Sequence, residues 1–375
     1  MMTEYFATIA RSLEETGAKE LTDLGAKNVK QTFTGISFEG DQKLLYQVNL
    51  WSRIIFRVLV PIKKFPCQNA KQLYQEIQKI NWEDYLSPEQ TLAVHCTGKN
   101  KELNHTHFSA LQVKNAIADQ QTANFGKRSN VDLDDPDLIL NLHIKKTHAI
   151  LSLDSTGESL HRRGYRPAMG TAPLKETFAS ALLAMTDWEP TLPLLDPMCG
   201  SGTFPIEAGL KALNMAPGLF RNSFAFEKWP DFNQQLWEQV QQEAKQQQLS
   251  QLPAGIYGRD RDREVLQQAQ TNAENCYLDQ QLNFAQTELS QLEPPTDKGI
   301  IICNPPYGKR LGEVKQLGNL YQQLGDTFKQ RFKGWIAYVL SGNKELTKQI
   351  GLRTSQRIPV YNGSLYCTLL RYELF

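Results

Sequence analysis

Asn304-Pro305-Pro306-Tyr307 brings acceptor oxygens and an aromatic ring to the end of a short apolar run, Gly299-Ile300-Ile301-Ile302-Cys303. Such a run reads as a buried strand. Pro305 and Pro306 carry no N–H, so they fix a turn and cannot extend a sheet. The side-chain oxygen of Asn304 and the carbonyl of Pro305 can both accept from one NH2 group, and Tyr307 can stack on the ring that bears it. An aromatic amine is a poor nucleophile because its lone pair is delocalised into the ring. Two acceptors on its hydrogens favour a tetrahedral nitrogen and free that pair to attack a methyl group on a sulfonium. Positioning and electrostatics then supply most of the rate, without a metal. At the level of these residues the amine of adenine (N6) fits as well as that of guanine (N2). The plainer alternative is a Pro-rich loop after a strand.

A methyl donor needs its own site, and Leu194-Leu195-Asp196-Pro197-Met198-Cys199-Gly200-Ser201-Gly202-Thr203 has the makings of one. Asp196 closes a strand, Gly200 and Gly202 let backbone approach a ligand, and Thr203 opens a helix. Neither a Gly-Lys-Ser/Thr phosphate loop nor the G-x-G-x-x-G spacing is present. An acid among small loop residues suits a cationic ligand with an amino-acid head, such as S-adenosylmethionine; a Gly turn between strand and helix is the alternative. Downstream, Gly255-Ile256-Tyr257-Gly258-Arg259-Asp260 ends in a carboxylate that could hold a ribose diol or simply cap the next helix. Asp262 and Glu264 are first-turn charges on that helix. Glu288 is a candidate to accept from an adenine amino group, or an exposed loop acid. The densest cationic stretch, His161-Arg162-Arg163-Gly164-Tyr165-Arg166, offers Arg162, Arg163 and Arg166 to an RNA backbone, or is a solvated linker.

These residues need elements to position them. At 375 residues, roughly two or three domains are expected. Residues 1–65 read as strand-helix-strand-strand-helix-strand, a small α+β sandwich, with Pro61–Pro66 as a joint. Residues 66–154 form a second α+β unit, with a helix near Thr106–Ala123 and a hairpin across Lys145-Lys146-Thr147. A basic linker spans 155–171. Pro173 sits where a helix to about Met185 starts, and from Leu192 strands alternate with helices as in a parallel sheet. Residues 214–254 interrupt that rhythm and end in a Gln-rich helix, and Asn362-Gly363 signals a closing antiparallel hairpin.

Bulk properties exclude several classes. The 41 basic and 40 acidic side chains rule out a polycationic coat, so nucleic-acid contact must come from local patches. Six cysteines stand far apart without metal-ligand spacing, which argues against zinc and for free thiols in a reducing cytoplasm. No signal peptide or membrane-spanning run is evident. The histidines are scattered and take no catalytic part.

With these residues in view the chain resembles the THUMP-domain RNA methyltransferases, and among them the bacterial enzymes that methylate a 23S ribosomal RNA guanine at N2. Residues 1–65 resemble their ferredoxin-like domain and 66–154 their THUMP module. His161–Arg166 and Ala172-Pro173-Leu174-Lys175-Glu176 resemble the segments entering the catalytic domain at 172–375. Leu195–Thr203 and Asn304-Pro305-Pro306-Tyr307-Gly308 match its signatures. The resemblance implies an α/β fold: a Rossmann-like class I methyltransferase domain, its parallel sheet ending in an antiparallel hairpin, preceded by two small α+β modules. It implies S-adenosylmethionine as cofactor, with Asp196, Pro197, Cys199, Gly200, Ser201, Gly202 and Thr203 around it. Asp260 would lie on the ribose, and Pro173 and Leu174 near the amino-acid head. Asn304 to Tyr307 would form the amine site. Glu288 departs from relatives that carry Asp. Some ribosomal relatives fuse a second methyltransferase domain; here the expectation is a single activity. Transfer to tRNA guanine, or a non-catalytic RNA-binding assembly factor, are the alternatives, and the intact Gly loop and turn argue against the second.

Overall fold

A computed structural model describes residues 2–166, 173–307 and 311–375. Ala172 and Gly308, and the end of the 155–171 linker, lie outside the described residues.

The strands of the two leading α+β modules join into one sheet. Its strands are β1 (Thr3–Thr8), β2 (Lys27–Thr32), β3 (Gly35–Gly40), β4 (Arg57–Pro66), β5 (Thr91–Lys99), β6 (Asn130–Val131), β7 (Leu138–Lys145) and β8 (His148–Asp154). They run in the order β2-β3-β1-β4-β8-β7-β5-β6. The helices α1 (Glu14–Asp23), α2 (Gln42–Trp51), α3 (Ala70–Gln78) and α4 (Thr106–Phe125) accompany them. Pro61–Pro66, where a joint is expected, forms the second half of β4, paired antiparallel with β8 from Leu59 to Pro66. Next to Pro61 the register shifts, between Pro61 and Lys63, the kind of irregularity at which strands accommodate proline. The buried face of α4 is narrow. Val113, Ala116, Ile117 and Ala118 are buried, whereas Phe108 and Leu111 are exposed.

The second half is a doubly wound sheet. Its strands are β9 (Leu194–Asp196), β10 (Ile256–Asp260), β11 (Leu282–Gln286), β12 (Ile300–Cys303), β13 (Ile336–Ser341), β14 (Gln356–Asn362) and β15 (Leu365–Glu373). Their order is β11-β10-β9-β12-β13-β15-β14. The first five are parallel neighbours, and β15 runs antiparallel to both β13 and β14. Helices α5 (Glu176–Ala184), α6 (Thr203–Ala212), α7 (Gln234–Gln246), α8 (Arg263–Glu274), α9 (Leu311–Arg331) and α10 (Lys344–Gln349) fill the connections. β12 is apolar throughout and fully buried, as a strand covered on both faces must be. This is the class I methyltransferase topology that the resemblance implies. The helix expected from Pro173 begins only at Glu176, because residues 173–175 are not helical and Lys175 is extended.

The 214–254 interruption is a docking device. Phe226 stacks on Tyr46 of α2 at 4.5 Å between centroids, and Trp237 of α7 meets the same tyrosine edge-on at 5.8 Å. Lys43 pairs with Glu243 at 2.9 Å on the rim of that contact. An insertion in one sheet thereby holds the other.

Candidate active site

In open α/β sheets, ligands bind outside the carboxyl ends of the strands where the strand order reverses. Here that point lies between β9 and β12, which pair directly at Leu194–Ile300 and Leu195–Ile301. Asp196 ends β9 and Asn304 follows β12, so the two sequence signals meet at the same crevice.

The Gly loop is built by backbone geometry. Gly200 and Gly202 have φ of 55° and 84°, a region that side chains with a Cβ adopt at a cost. A Cβ on Gly202 would also come within 3.0 Å of Ala269 and 3.2 Å of the Phe284 ring. Around Gly200 the nearest atom to such a Cβ, on Val265, is 3.9 Å away. Gly200 therefore answers to conformation and Gly202 to packing. Cys199 N–H donates to the Arg259 carbonyl at 2.8 Å, and Gly200 N–H to Asp260 Oδ2 at 2.9 Å. Asp260 Oδ1 accepts from Asp262 N–H at 3.0 Å. Asp262, not Asp260, caps α8, accepting from Glu264 and Val265 N–H. Asp260 thus pins the loop to β10.

Asp196 is 2 % exposed, and its Oδ1 accepts from Met198 N–H at 3.1 Å. Among the described residues it has no cationic partner. Burial, with repulsion from Asp260 added, holds its carboxyl well above the usual carboxylate range. Pro197 and Ser201 complete the loop, and Ser201's carbonyl accepts from Asn272 Nδ2 at 3.0 Å. A buried acid without a cation, beside a glycine whose Cβ side is open, fits an aminoacyl sulfonium ligand. Glu288 is exposed beyond β11 and caps nothing with its side chain. Leu174 is buried ahead of α5, and Pro173 lines a cavity of about 710 Å³.

At the other wall, the side-chain oxygen of Asn304 is buried, with no hydrogen-bond partner among the described residues. It is the only buried side-chain carbonyl oxygen there in that state. Pro305 is buried and Pro306 exposed. Tyr307 is half-buried. Its hydroxyl accepts from Asn362 Nδ2 at 3.4 Å, which ties the ring to the closing hairpin.

The cationic stretch is corrected by the structure. Arg163 is not an RNA contact: it is 2 % exposed and donates to the carbonyls of Ser52 (3.2 Å), Leu160 (2.8 Å) and Arg53 (2.5 Å), and to Glu207. Arg166 is likewise withdrawn, paired with Glu176 at 2.9 Å and donating to Thr203 Oγ1 at 2.6 Å. His161 adds no charge at neutral pH, because burial pushes its pKa down to about 4. Arg162 alone of the three arginines is exposed, in a pair with Glu158 at 2.6 Å.

What draws Arg163 inward is Glu207 of α6, which sequence reasoning passed over. It is 0 % exposed and accepts from Tyr165 hydroxyl (3.1 Å), Ser180 hydroxyl (2.5 Å) and Arg163 Nη2 (3.3 Å). Its one available signal is being the sole acid in the apolar run Phe204–Leu210. Through Glu207 and Thr203 the 163–166 segment clamps the helix that follows the Gly loop. Arg53 reaches the same helix from the first sheet, donating to the carbonyls of Leu210 (3.2 Å) and Met215 (2.7 Å).

Comparison with known proteins agrees with this architecture. Residues 163–371 match the model described as RMKL-like, methyltransferase domain. The chain belongs to this family. Residues 67–154 match the THUMP domain and 4–59 the RlmL ferredoxin-like domain. A Synechocystis protein named as an RNA methyltransferase, slr0064, is 58 % identical over 99 % of this chain and 97 % of its own length. The ribosomal RNA large subunit methyltransferase K/L of Syntrophotalea carbinolica is 42 % identical over 99 % of this chain. Only 53 % of that relative is covered, so the chain spans about half the length of the K/L proteins it matches. Among solved structures, one described as a methyltransferase complexed with SAH superposes with a TM-score of 0.88 at 30 % identity, covering 100 % of this chain and 98 % of that one.

Proposed function

We propose that this methyltransferase-family chain uses S-adenosylmethionine to methylate the exocyclic N2 amine of a guanine in RNA, with 23S ribosomal RNA as the substrate. The observation that carries the reading is Asn304: a buried amide oxygen without a partner among the described residues, at the reversal point of the sheet, is an acceptor waiting for a donor. The related solved structure holds SAH, which is S-adenosylmethionine without its transferable methyl group, and the K/L relatives act on large-subunit ribosomal RNA by name. The THUMP match favours RNA over DNA.

S-adenosylmethionine supplies an electrophilic methyl on a positively charged sulfur. Asp196 and the Gly200–Thr203 backbone would hold its amino-acid side, Asp260 its ribose, and Pro173, Leu174 and Glu288 the flanks. The remaining work falls to the turn. Asn304 Oδ1 and the Pro305 carbonyl accept from the two amine hydrogens and orient the nitrogen lone pair toward the crevice. Pro306 keeps the turn from pairing as a strand, and Tyr307, fixed by Asn362, offers its ring to the base. Transfer would form the C–N bond while the methyl–sulfur bond breaks and the neutral thioether leaves; the methylated nitrogen, then a strong acid, would give its proton to solvent, so no basic residue is required. Arg162 remains an exposed cation for the backbone.

The test is transfer of labelled methyl from S-adenosylmethionine to protein-free 23S RNA, followed by nucleoside mass spectrometry. N2-methylguanosine is expected. Label in tRNA with none in 23S RNA would move the substrate. N6-methyladenosine would move the base. No transfer to any RNA would leave a binding factor.

A further inference from the structure

A second feature adjoins the amine site and belongs to neither the Gly loop nor the turn. The hairpin β14–β15 pairs Asn362 with Leu365 and Tyr361 with Tyr366. Strand side chains alternate between faces, so these pairs point to opposite sides. The Asn362–Leu365 side meets Tyr307: Asn362 bonds its hydroxyl, and Leu365 and Tyr307 converge on Gly342, at 3.2 and 3.4 Å from where its Cβ would lie. The Tyr361–Tyr366 side, with centroids 5.4 Å apart, meets the other sheet. Arg11, in the β1–α1 connection, lays its guanidinium 4.2 Å from the Tyr361 ring centre and 5.8 Å from that of Phe33.

Phe33 is 76 % exposed in the tight β2–β3 turn. That turn is fixed: Thr34 has φ 55°, its N–H donates to Glu14 at 3.1 Å, and its carbonyl accepts from Ile9 N–H at 3.2 Å. Tyr366 and Leu365 are exposed as well. Arg11 makes no ion pair among the described residues. Held exposed rings around an unpaired guanidinium have the chemistry of a base-stacking platform with a phosphate contact. A chain-like anionic ligand suits it better than an apolar one, which would leave the guanidinium desolvated.

We infer that Arg11, Phe33 and Tyr366 bind the single-stranded RNA next to the target nucleotide. The target base enters on the Tyr307 side of the hairpin tip, and its neighbour stacks on the Tyr366–Phe33 side. The tip, Asn362 to Leu365, thereby separates two bases that would otherwise stack on each other. The ferredoxin-like domain becomes part of the substrate site. This rests on the amine-site reading at Asn304, but its test does not.

The experiment measures binding of a labelled single-stranded RNA about ten nucleotides long, with a central guanosine, to the full chain by fluorescence anisotropy. Phe33→Ala and Tyr366→Ala should each weaken binding about fivefold or more, and Phe33→Trp should restore it. Arg11→Ala should weaken binding and flatten its salt dependence. All three side chains are exposed, and thermal melts check that each variant folds. Unchanged affinity in the three alanine variants overturns the platform, as does a wild-type chain that binds no RNA. Loss of a wild-type dimer in sedimentation, with RNA affinity intact, overturns it in favour of a second copy. Platform-dependent binding without any methyl transfer would instead sink the amine-site reading alone.

Discussion

Glu207 and Asn304 both bury acceptor oxygens within the catalytic domain, yet their surroundings are opposite. Glu207, in the middle of α6, receives Tyr165 and Arg163 from one segment and Ser180 from α5. Asn304, just past β12, keeps its oxygen without any donor among the described residues. A buried acceptor left unpaired costs roughly 1–3 kcal/mol, so folding alone gives no reason to retain one. The satisfied acceptor is architecture: it joins the 163–166 segment and, through Arg163's bonds to Ser52 and Arg53, the first sheet to the second. The unsatisfied one is, in the function proposed above, the acceptor for the target amine. Asp196 belongs with Asn304 in this respect, a buried carboxyl short of a cation.

If this contrast is right, mutations at the two acceptors separate stability from activity. Glu207→Ala strips Arg163 of its buried counter-charge and should destabilise the protein by about 3–5 kcal/mol in urea unfolding; a near-neutral result would mean the network is ornamental. Asn304→Ala should do the reverse. Methyl transfer under single-turnover conditions should fall about 10²–10³-fold, while the unfolding free energy stays within about 1 kcal/mol of wild type. A large stability loss there, with transfer intact, would turn Asn304 into a structural residue.

Asp196→Asn tests the same contrast through pH. A raised folded pKa means that the folded chain keeps a proton the unfolded chain has released. The unliganded protein therefore loses stability as pH rises from the ordinary carboxylate value toward the folded one. The variant should lack that slope between acidic and neutral pH and melt no lower than wild type, yet bind S-adenosylmethionine about tenfold more weakly by calorimetry. Equal slopes in both proteins would show that Asp196 is not the group responsible. The smallest effect is expected at Arg162, whose pair with Glu158 is exposed. Arg162→Ala should shift stability by less than about 0.5 kcal/mol, and the salt dependence of RNA binding should report whether it touches phosphate.

Much of this was legible along the chain. The Gly loop and the Asn304 turn are local motifs whose conformations are dictated by their own residues: positive φ at Gly200 and Gly202, and no N–H at Pro305 and Pro306. The closing hairpin was legible for the same reason, with Gly363 at φ 63°. Segments whose structure depends on distant partners were less legible. Pro61–Pro66 has the composition of a joint, and because β8 lies alongside it is also strand. His161–Arg166 has the composition of an exposed basic patch, but Glu207 and Glu176 lie opposite and draw Arg163 and Arg166 inside.

The sequence by itself therefore determined the chemistry on offer: an acid at the end of β9, a Gly loop with left-handed backbone and a turn rich in acceptors, because backbone restrictions act within a few residues. Only the tertiary structure decided which polar groups are satisfied. Pairing depends on which segments the sheet order brings together, so it alone reveals that Glu207 is fully occupied, that Asn304 has no partner among the described residues, and that Arg11 reaches the closing hairpin from the opposite end of the chain.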